Sequence, residues 1–278
     1  MPPIIFTEPL KIERINIAIA DLANHLVGTK IIQLSDLHYD GIRLSDALLE
    51  KAIAFCNQEK ADLIVITGDF ITDTPQPISR LATQLQKLKS QFGIYGCLGN
   101  HDSSFPGLSE KLIFALKEVG VTILVNEVAY PLGTEIALVG LADWRSRNFH
   151  TNLILSQLEP SLPRLVLSHN PDSAKNLAQY RVDLQLSGHT HGGQAVIPGY
   201  GPVPAILQQI RQHTPNCLSR HIPYLRKCAF VVKNWQWSEG WHQIGTNQLY
   251  VNRGLGTYFP GRFRCPPEIT VITLAKKP

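Results

Sequence analysis

The sequence predicts an α/β protein built on a mainly parallel sheet, and three observations lead there. Short, nearly all-apolar runs recur along the chain, of the kind buried on both faces of a parallel sheet. Segments with apolar residues at helical spacing separate them. Asp, Asn and His residues follow the apolar runs directly, and sheets of this class form their sites outside the carboxyl ends of their strands.

Residues 11–20 alternate, with Ile15, Ile17 and Ile19 on one face, and are expected to form a strand. Residues 29–34 make a second, central in character, which delivers Ser35-Asp36-Leu37-His38. Ser45 is placed to cap a helix whose apolar positions are Leu48, Leu49, Ala52, Ile53 and Cys56. The strand at 62–67 ends in Gly68-Asp69, and Ile78, Leu81, Ala82, Leu85 and Leu88 stand in register on the next helix. Residues 93–98 lead into Gly99-Asn100-His101-Asp102. Leu108, Leu112, Leu116 and Val119 mark a further helix, followed by strands at 121–125 and 135–141. Residues 164–167 run into Ser168-His169-Asn170-Pro171. A short helix near 174–179 then precedes the strand 183–186 and Gly188-His189-Thr190-His191. Two late strands, 248–251 and 269–274, are expected to complete a second sheet. The stretch 198–245 has little clear periodicity and reads as an extended insertion over one edge. A single domain, 1–278, is therefore expected, with its motif core at 31–194 and closing strands at 246–275.

At 278 residues and 44% hydrophobic, the chain can bury one sizeable core. Its net charge of +4 suits an anionic substrate but is too small to argue for nucleic acid, and no nucleic-acid partner is expected. Cys56, Cys97, Cys217, Cys228 and Cys265 are odd in number and form no C-x-x-C pair, as for reduced, packed thiols in a cytoplasmic protein. No apolar run is long enough to cross a membrane, and residues 1–11 lack the apolar core of a signal peptide.

Seven of the residues at strand ends are metal-ligand types: Asp36, His38, Asp69, Asn100, His169, His189 and His191. Each alone has an ordinary explanation as a helix cap, a turn or a hydrogen-bonded histidine. Joint placement at the ends of different strands is what argues against seven separate accidents. Four imidazoles, two carboxylates and an amide oxygen suit Mn, Fe or Zn and lack the thiolates of a structural zinc site. Seven ligands exceed the needs of one tetrahedral ion, so two divalent ions sharing a carboxylate are expected. On an extended segment His189 and His191 would point the same way.

The blocks Asp36-x-His38, Gly68-Asp69, Gly99-Asn100-His101-Asp102, His169 and Gly188-His189-x-His191 resemble the calcineurin-like metallophosphoesterase superfamily, in its order. The runs Ser168-His169-Asn170-Pro171-Asp172, His191-Gly192-Gly193-Gln194 and Val251-Asn252-Arg253-Gly254-Leu255-Gly256 are similar to a bacterial phosphodiesterase subgroup. The resemblance implies a four-layer α/β/β/α sandwich and a binuclear metal-dependent phosphoesterase, most nearly a phosphodiesterase. Asp36, His38, Asp69 and His191 would take one ion; Asp69, Asn100, His169 and His189 the other, with Asp69 bridging. A hydroxide bridging the metals would attack phosphorus in line, and His101 would assist the leaving oxygen, a role suited to imidazole's ordinary pKa of about 6.5. Asp102 would orient that ring, with Asp73 a competing candidate. The expected substrate is a small-molecule or lipid-linked phosphodiester or pyrophosphate. Hydrolysis of UDP-2,3-diacylglucosamine in lipid A synthesis is an alternative, and a metal-bound scaffold without catalysis is an alternative of another class.

Several residues keep two readings. Asp143, Arg145 and Arg147 either touch substrate or form a solvated loop; Asn252 and Arg253 either approach the site or build a turn. Gly192-Gly193 is either functional or only a flexible turn. Trp235, Trp237 and Trp241, with Arg226, Lys227 and Lys233, either rest peripherally on a membrane or form a satellite cluster under a loop. Cys97 reads as core, and His150, His213, His221 and His242 as structural.

Overall fold

The computed structural model describes residues 5–214 and 231–277. Cys217, His221, Arg226, Lys227 and Cys228 lie outside the described residues. Two six-stranded sheets carry the fold, with strands numbered in chain order. The first runs, in space, β1 (Lys11–Ile19), β14 (Glu268–Lys276), β2 (Lys30–Leu34), β3 (Leu63–Thr67), β4 (Ile94–Cys97), β5 (Val121–Ile123). The second runs β12 (Gly240–Ile244), β13 (Asn247–Val251), β9 (Leu184–Ser187), β8 (Arg164–Leu167), β7 (Ala137–Gly140), β6 (Glu127–Ala129). Pairing is parallel except between β14 and β2, β12 and β13, and β6 and β7.

Strand alternation builds the layers, because successive side chains leave a strand on opposite faces. In β2 and β3, Ile32, Leu34, Ile64 and Ile66 pack outward against α1 (Asp46–Glu59), α2 (Ile78–Leu85) and α3 (Leu108–Lys117). Their neighbours Ile31, Leu63 and Val65 face inward, where they meet Leu165, Leu167, Leu184 and Leu186 of the second sheet. The far side of that sheet offers Ala137, Val139 and Val166 to α4 (Thr151–Leu155) and α5 (Ala174–Leu177). The order is thus α/β/β/α. Ser45 does cap α1, its side chain accepting from the Leu48 amide.

Two expectations change. The late strands do not share a sheet: β13 joins the second, while β14 enters the first between β1 and β2. Both faces of β14 are buried, Ile269 and Val271 outward and Ile272 and Leu274 inward. Its apolar pattern encodes that burial, which a central place in either sheet would satisfy. The stretch 198–245 also holds more structure than its weak periodicity suggests. The hairpin of β10 (Val196–Ile197) and β11 (Gly201–Pro202) leads into α6 (Val203–His213), and β12 follows later. Pro202 and Pro204 mask α6 in the sequence, but they stand at its N-cap and first turn, where no intrahelical amide is required.

Candidate metal centre

Parallel strands bring β2, β3 and β4 of one sheet and β8 and β9 of the other to one edge, carboxyl ends first. Asp36, Asp69, Asn100, His169 and His189 come off those ends, and His38 and His191 lie two residues further on. The approach is tight enough to require glycine. A Cβ at Gly99 would collide with Asp69 Oδ1, and one at Gly188 with Ser35 Oγ and Asp36 Oδ2. Asp36, His38, Asp69, His189 and His191 all have positive φ, between 42° and 71°. Each such residue costs about 1–3 kcal/mol and persists only where its surroundings over-determine it. His189 and His191 are therefore not on an extended segment: a 3-10 turn runs from His191 to Gly193.

The rings separate nonetheless. Potential ligand atoms of Asp36, His38 and His191 gather in one cluster and those of Asp69, His169 and His189 in another, while His101 meets His38 and Asp69 in a third, each within 4.8 Å. In the first, His191 Nε2 is 3.1 Å from His38 Nε2 and 3.3 Å from Asp36 Oδ1. In the second, His169 Nε2 is 3.2 Å from His189 Nδ1. Asp69 Oδ2 lies between them, 3.1 Å from His169 Nε2 and 3.4 Å from His38 Nε2. Replacing His191 is accordingly expected to weaken the ion beside Asp36 and His38 first, and replacing His189 the ion beside Asn100 and His169. Metal analysis of the two variants at limiting chelator checks this; loss of the same single ion from both would exclude two separate sites.

The donor chemistry fits a divalent pair. His169 Nδ1 donates to the Thr67 carbonyl at 2.7 Å, His191 Nδ1 to Gly256 at 3.2 Å, and His189 Nε2 to Val231 at 2.8 Å. A carbonyl only accepts, so these outer nitrogens carry protons and the other nitrogen of each ring faces inward. Asn100 Oδ1 is buried with no hydrogen-bond partner, an orphaned acceptor that a cation would satisfy. Burial opposes charge on Asp36 and Asp69, but His191 and His38 beside the first and His169 beside the second hold both carboxyls well below the usual range. Burial also opposes a charged His169, yet Asp69 and Asp36 push that ring up to about 10. Burial, reinforced by the charge on His169, brings His189 down to about 4. Burial, with Asp36 opposing it, brings His191 down to about 3. The two carboxylates thus favour bound positive charge here, and a metal ion would displace the His169 proton.

His101 stands at the rim, its side chain 30% exposed. Its amide donates to Asp69 Oδ1 at 2.9 Å, and its Nδ1 to the Thr72 carbonyl at 3.0 Å, with Asp73 Oδ1 3.5 Å away. Asp102 does not orient the ring, contrary to expectation. Its Oδ1 accepts from the amides of Phe70 and Ile71 and its Oδ2 from Gly99, so a buried carboxylate knots the loops after β3 and β4.

The site opens into a cavity of about 500 Å³ whose lining includes His38, Asp69, Asn100, His101, His189 and His191, joined by Arg145, Pro204, Val231, Trp235 and Tyr258. A family model described as calcineurin-like phosphoesterase matches residues 29–193, a span that contains all seven candidate metal ligands. The chain belongs to that family. It is 38% identical over 255 residues to a metallophosphoesterase of Bacillus subtilis, YkuE, covering 89% of this chain and 79% of the relative. It is 30% identical over 280 residues to phosphodiesterase YaeI of Escherichia coli, and 28% over 319 to UDP-2,3-diacylglucosamine pyrophosphatase LpxG of Chlamydia trachomatis. Each of these two alignments covers 97% of this chain and 90% of the relative. As a calcineurin-like phosphoesterase the protein is a metal-dependent phosphoric ester hydrolase.

Of the residues with two readings, Arg145 lines the cavity and Arg147 is exposed. Arg253 pairs with Glu13, Glu239 and Glu268, and Asn252 caps the Gly254 amide, so both build the late loop. Gly192 is more than a flexible turn, since a Cβ there would press on Cys265 Sγ and the Arg253 stem. Trp235 and Trp237 are buried and unavailable to an interface, whereas Trp241 is half exposed. Cys56, Cys97 and Cys265 are buried free thiols, and no helix among the described residues is long and apolar enough to cross a membrane. Sequence reasoning missed Tyr258, Thr72, Thr67 and Arg262. Arg262 is fully buried and donates to the carbonyls of His191, Arg253, Gly254 and Gly256. The aromatic two residues beyond Gly254-Leu255-Gly256 was the available signal for Tyr258.

Proposed function

We propose that this hydrolase is a phosphodiesterase acting on a small or lipid-linked phosphodiester or pyrophosphate, with two ions of Mn, Fe or Zn. The reading is carried by Asp69, whose Oδ2 lies between the two ligand clusters while its Oδ1 holds the amide of His101. Asp36, His38, Asp69 and His191 would hold one ion, and Asp69, Asn100, His169 and His189 the other. Bound there, the pair supplies charge stabilisation of phosphoryl oxygens and activation of water at neutral pH. The chain contributes orientation: Thr72 holds the Nδ1 proton of His101, so that Nε2, 3.4 Å from the Tyr258 hydroxyl, is the nitrogen from which the protonated ring would serve the departing oxygen. Arg145 brings a guanidinium to the cavity, and Pro204, Val231 and Trp235 give it an apolar wall. A diester needs room for a substituent on each side of phosphorus, and a cavity of about 500 Å³ supports that reading.

Metal analysis of the purified protein beside a substrate panel tests the reading. Bis-p-nitrophenyl phosphate is expected to be cleaved faster than p-nitrophenyl phosphate, and preference for the monoester would overturn the diester assignment. The apolar wall and the similarity to LpxG favour a second reading, hydrolysis of UDP-2,3-diacylglucosamine. Including that lipid in the panel decides between them.

A further inference from the structure

Tyr258 lies outside every metal-type motif, yet its hydroxyl meets both halves of the machinery. It is 3.1 Å from His38 Nδ1 and 3.4 Å from His101 Nε2. One end of the proton pattern is fixed by a neighbour that can only accept. His101 Nδ1 donates to the Thr72 carbonyl, so Nε2 of the neutral ring is an acceptor. His38 turns Nε2 towards Asp69 and His191; with a metal ion held at that nitrogen its proton would sit on Nδ1, facing Tyr258 and, at 3.4 Å, Thr72 Oγ1. With the metal bound, one orientation would satisfy both ends: His38 Nδ1–H donates to the Tyr258 oxygen, and the Tyr258 hydroxyl donates to His101 Nε2.

The phenol is itself held firmly. Its amide donates to Gln194 Oε1 at 2.6 Å, which laces the late loop to the histidine turn, and the Arg43 guanidinium lies 5.0 Å from its ring centre. Two residues earlier in the same loop, the Gly256 carbonyl receives the Nδ1 proton of His191. Residues 256 and 258 thus orient three of the imidazoles at the site. Resting on the metal-hydrolase reading above, we propose that Tyr258 is a positioning residue that couples His38, a ligand of the first ion, to His101, the proton donor, through one hydroxyl.

The test is Tyr258→Phe, which keeps the ring against Arg43 and removes only the oxygen. Metal-stripped protein is titrated with Co²⁺, following visible absorption and competition with a chelator. The variant is expected to bind one of two Co²⁺ ions about 10- to 100-fold more weakly, the usual cost of losing an outer partner of a ligand histidine, and the other unchanged. At saturating Co²⁺, kcat should fall on a diester with an alkoxide leaving group more than on bis-p-nitrophenyl phosphate, and that extra loss should vanish in the His101→Ala background. Native affinity for both ions, equal weakening of both, or losses that add in the double variant would overturn the coupling. A wild type that hydrolyses esters with two ions while Tyr258→Phe behaves identically sinks this inference alone. A wild type that takes up no Co²⁺ sinks the metal-hydrolase reading and this inference with it.

Discussion

Replacing Asp69 with Ala is expected to cost both ions and on the order of 10³-fold or more in kcat/KM, the largest loss from any single side chain here. Its carboxylate faces His169 and His38 at 3.1 and 3.4 Å through one oxygen and holds the His101 amide through the other. No neighbouring residue can take over both contacts. Asp36 is the other buried carboxylate of the clusters, and it is committed to the His189 amide and Ser35. Metal content by elemental analysis should fall from two ions per chain towards none, and near-native circular dichroism would show that folding is not the cause. Retention of one full ion would mean that Asp69 serves only one cluster.

His101→Ala is expected to behave in the opposite way on metal. Its ring touches Thr72 and Tyr258, lies beside Asp73 and gathers with His38 and Asp69, but the clusters beside Asp36 and His169 are each complete without it. Both ions should remain while kcat drops about 10²- to 10⁴-fold on a substrate whose leaving oxygen needs a proton. The loss should be much smaller for bis-p-nitrophenyl phosphate, since p-nitrophenolate departs without one. Equal losses on good and poor leaving groups would remove His101 from proton transfer and leave it a role in binding phosphate.

How much of this was legible beforehand differs by residue. Apolar runs and helical spacing placed Asp36, Asp69, Asn100, His169 and His189 at strand ends, because element type and turn position are local properties of the chain. The seven donors and the α/β class follow from that. The sequence misassigned Asp102, since a carboxylate one residue from a histidine is nearer in sequence than the Phe70, Ile71 and Gly99 amides that it meets in space. It also put β14 in the wrong sheet, and it passed over Tyr258, whose partners His38 and His101 are 220 and 157 residues away.

By itself, then, the sequence determined which residues could bind metal and that they would arrive on one edge of a parallel sheet. Only the tertiary structure decided how closely they gather around Asp69, which ring nitrogen faces inward, and which neighbours fix it. Those choices are made by backbone carbonyls and amides on loops from both sheets. Carbonyls and amides are the same in every residue, so their identity as partners is written in no side chain and emerges only when the two sheets pack.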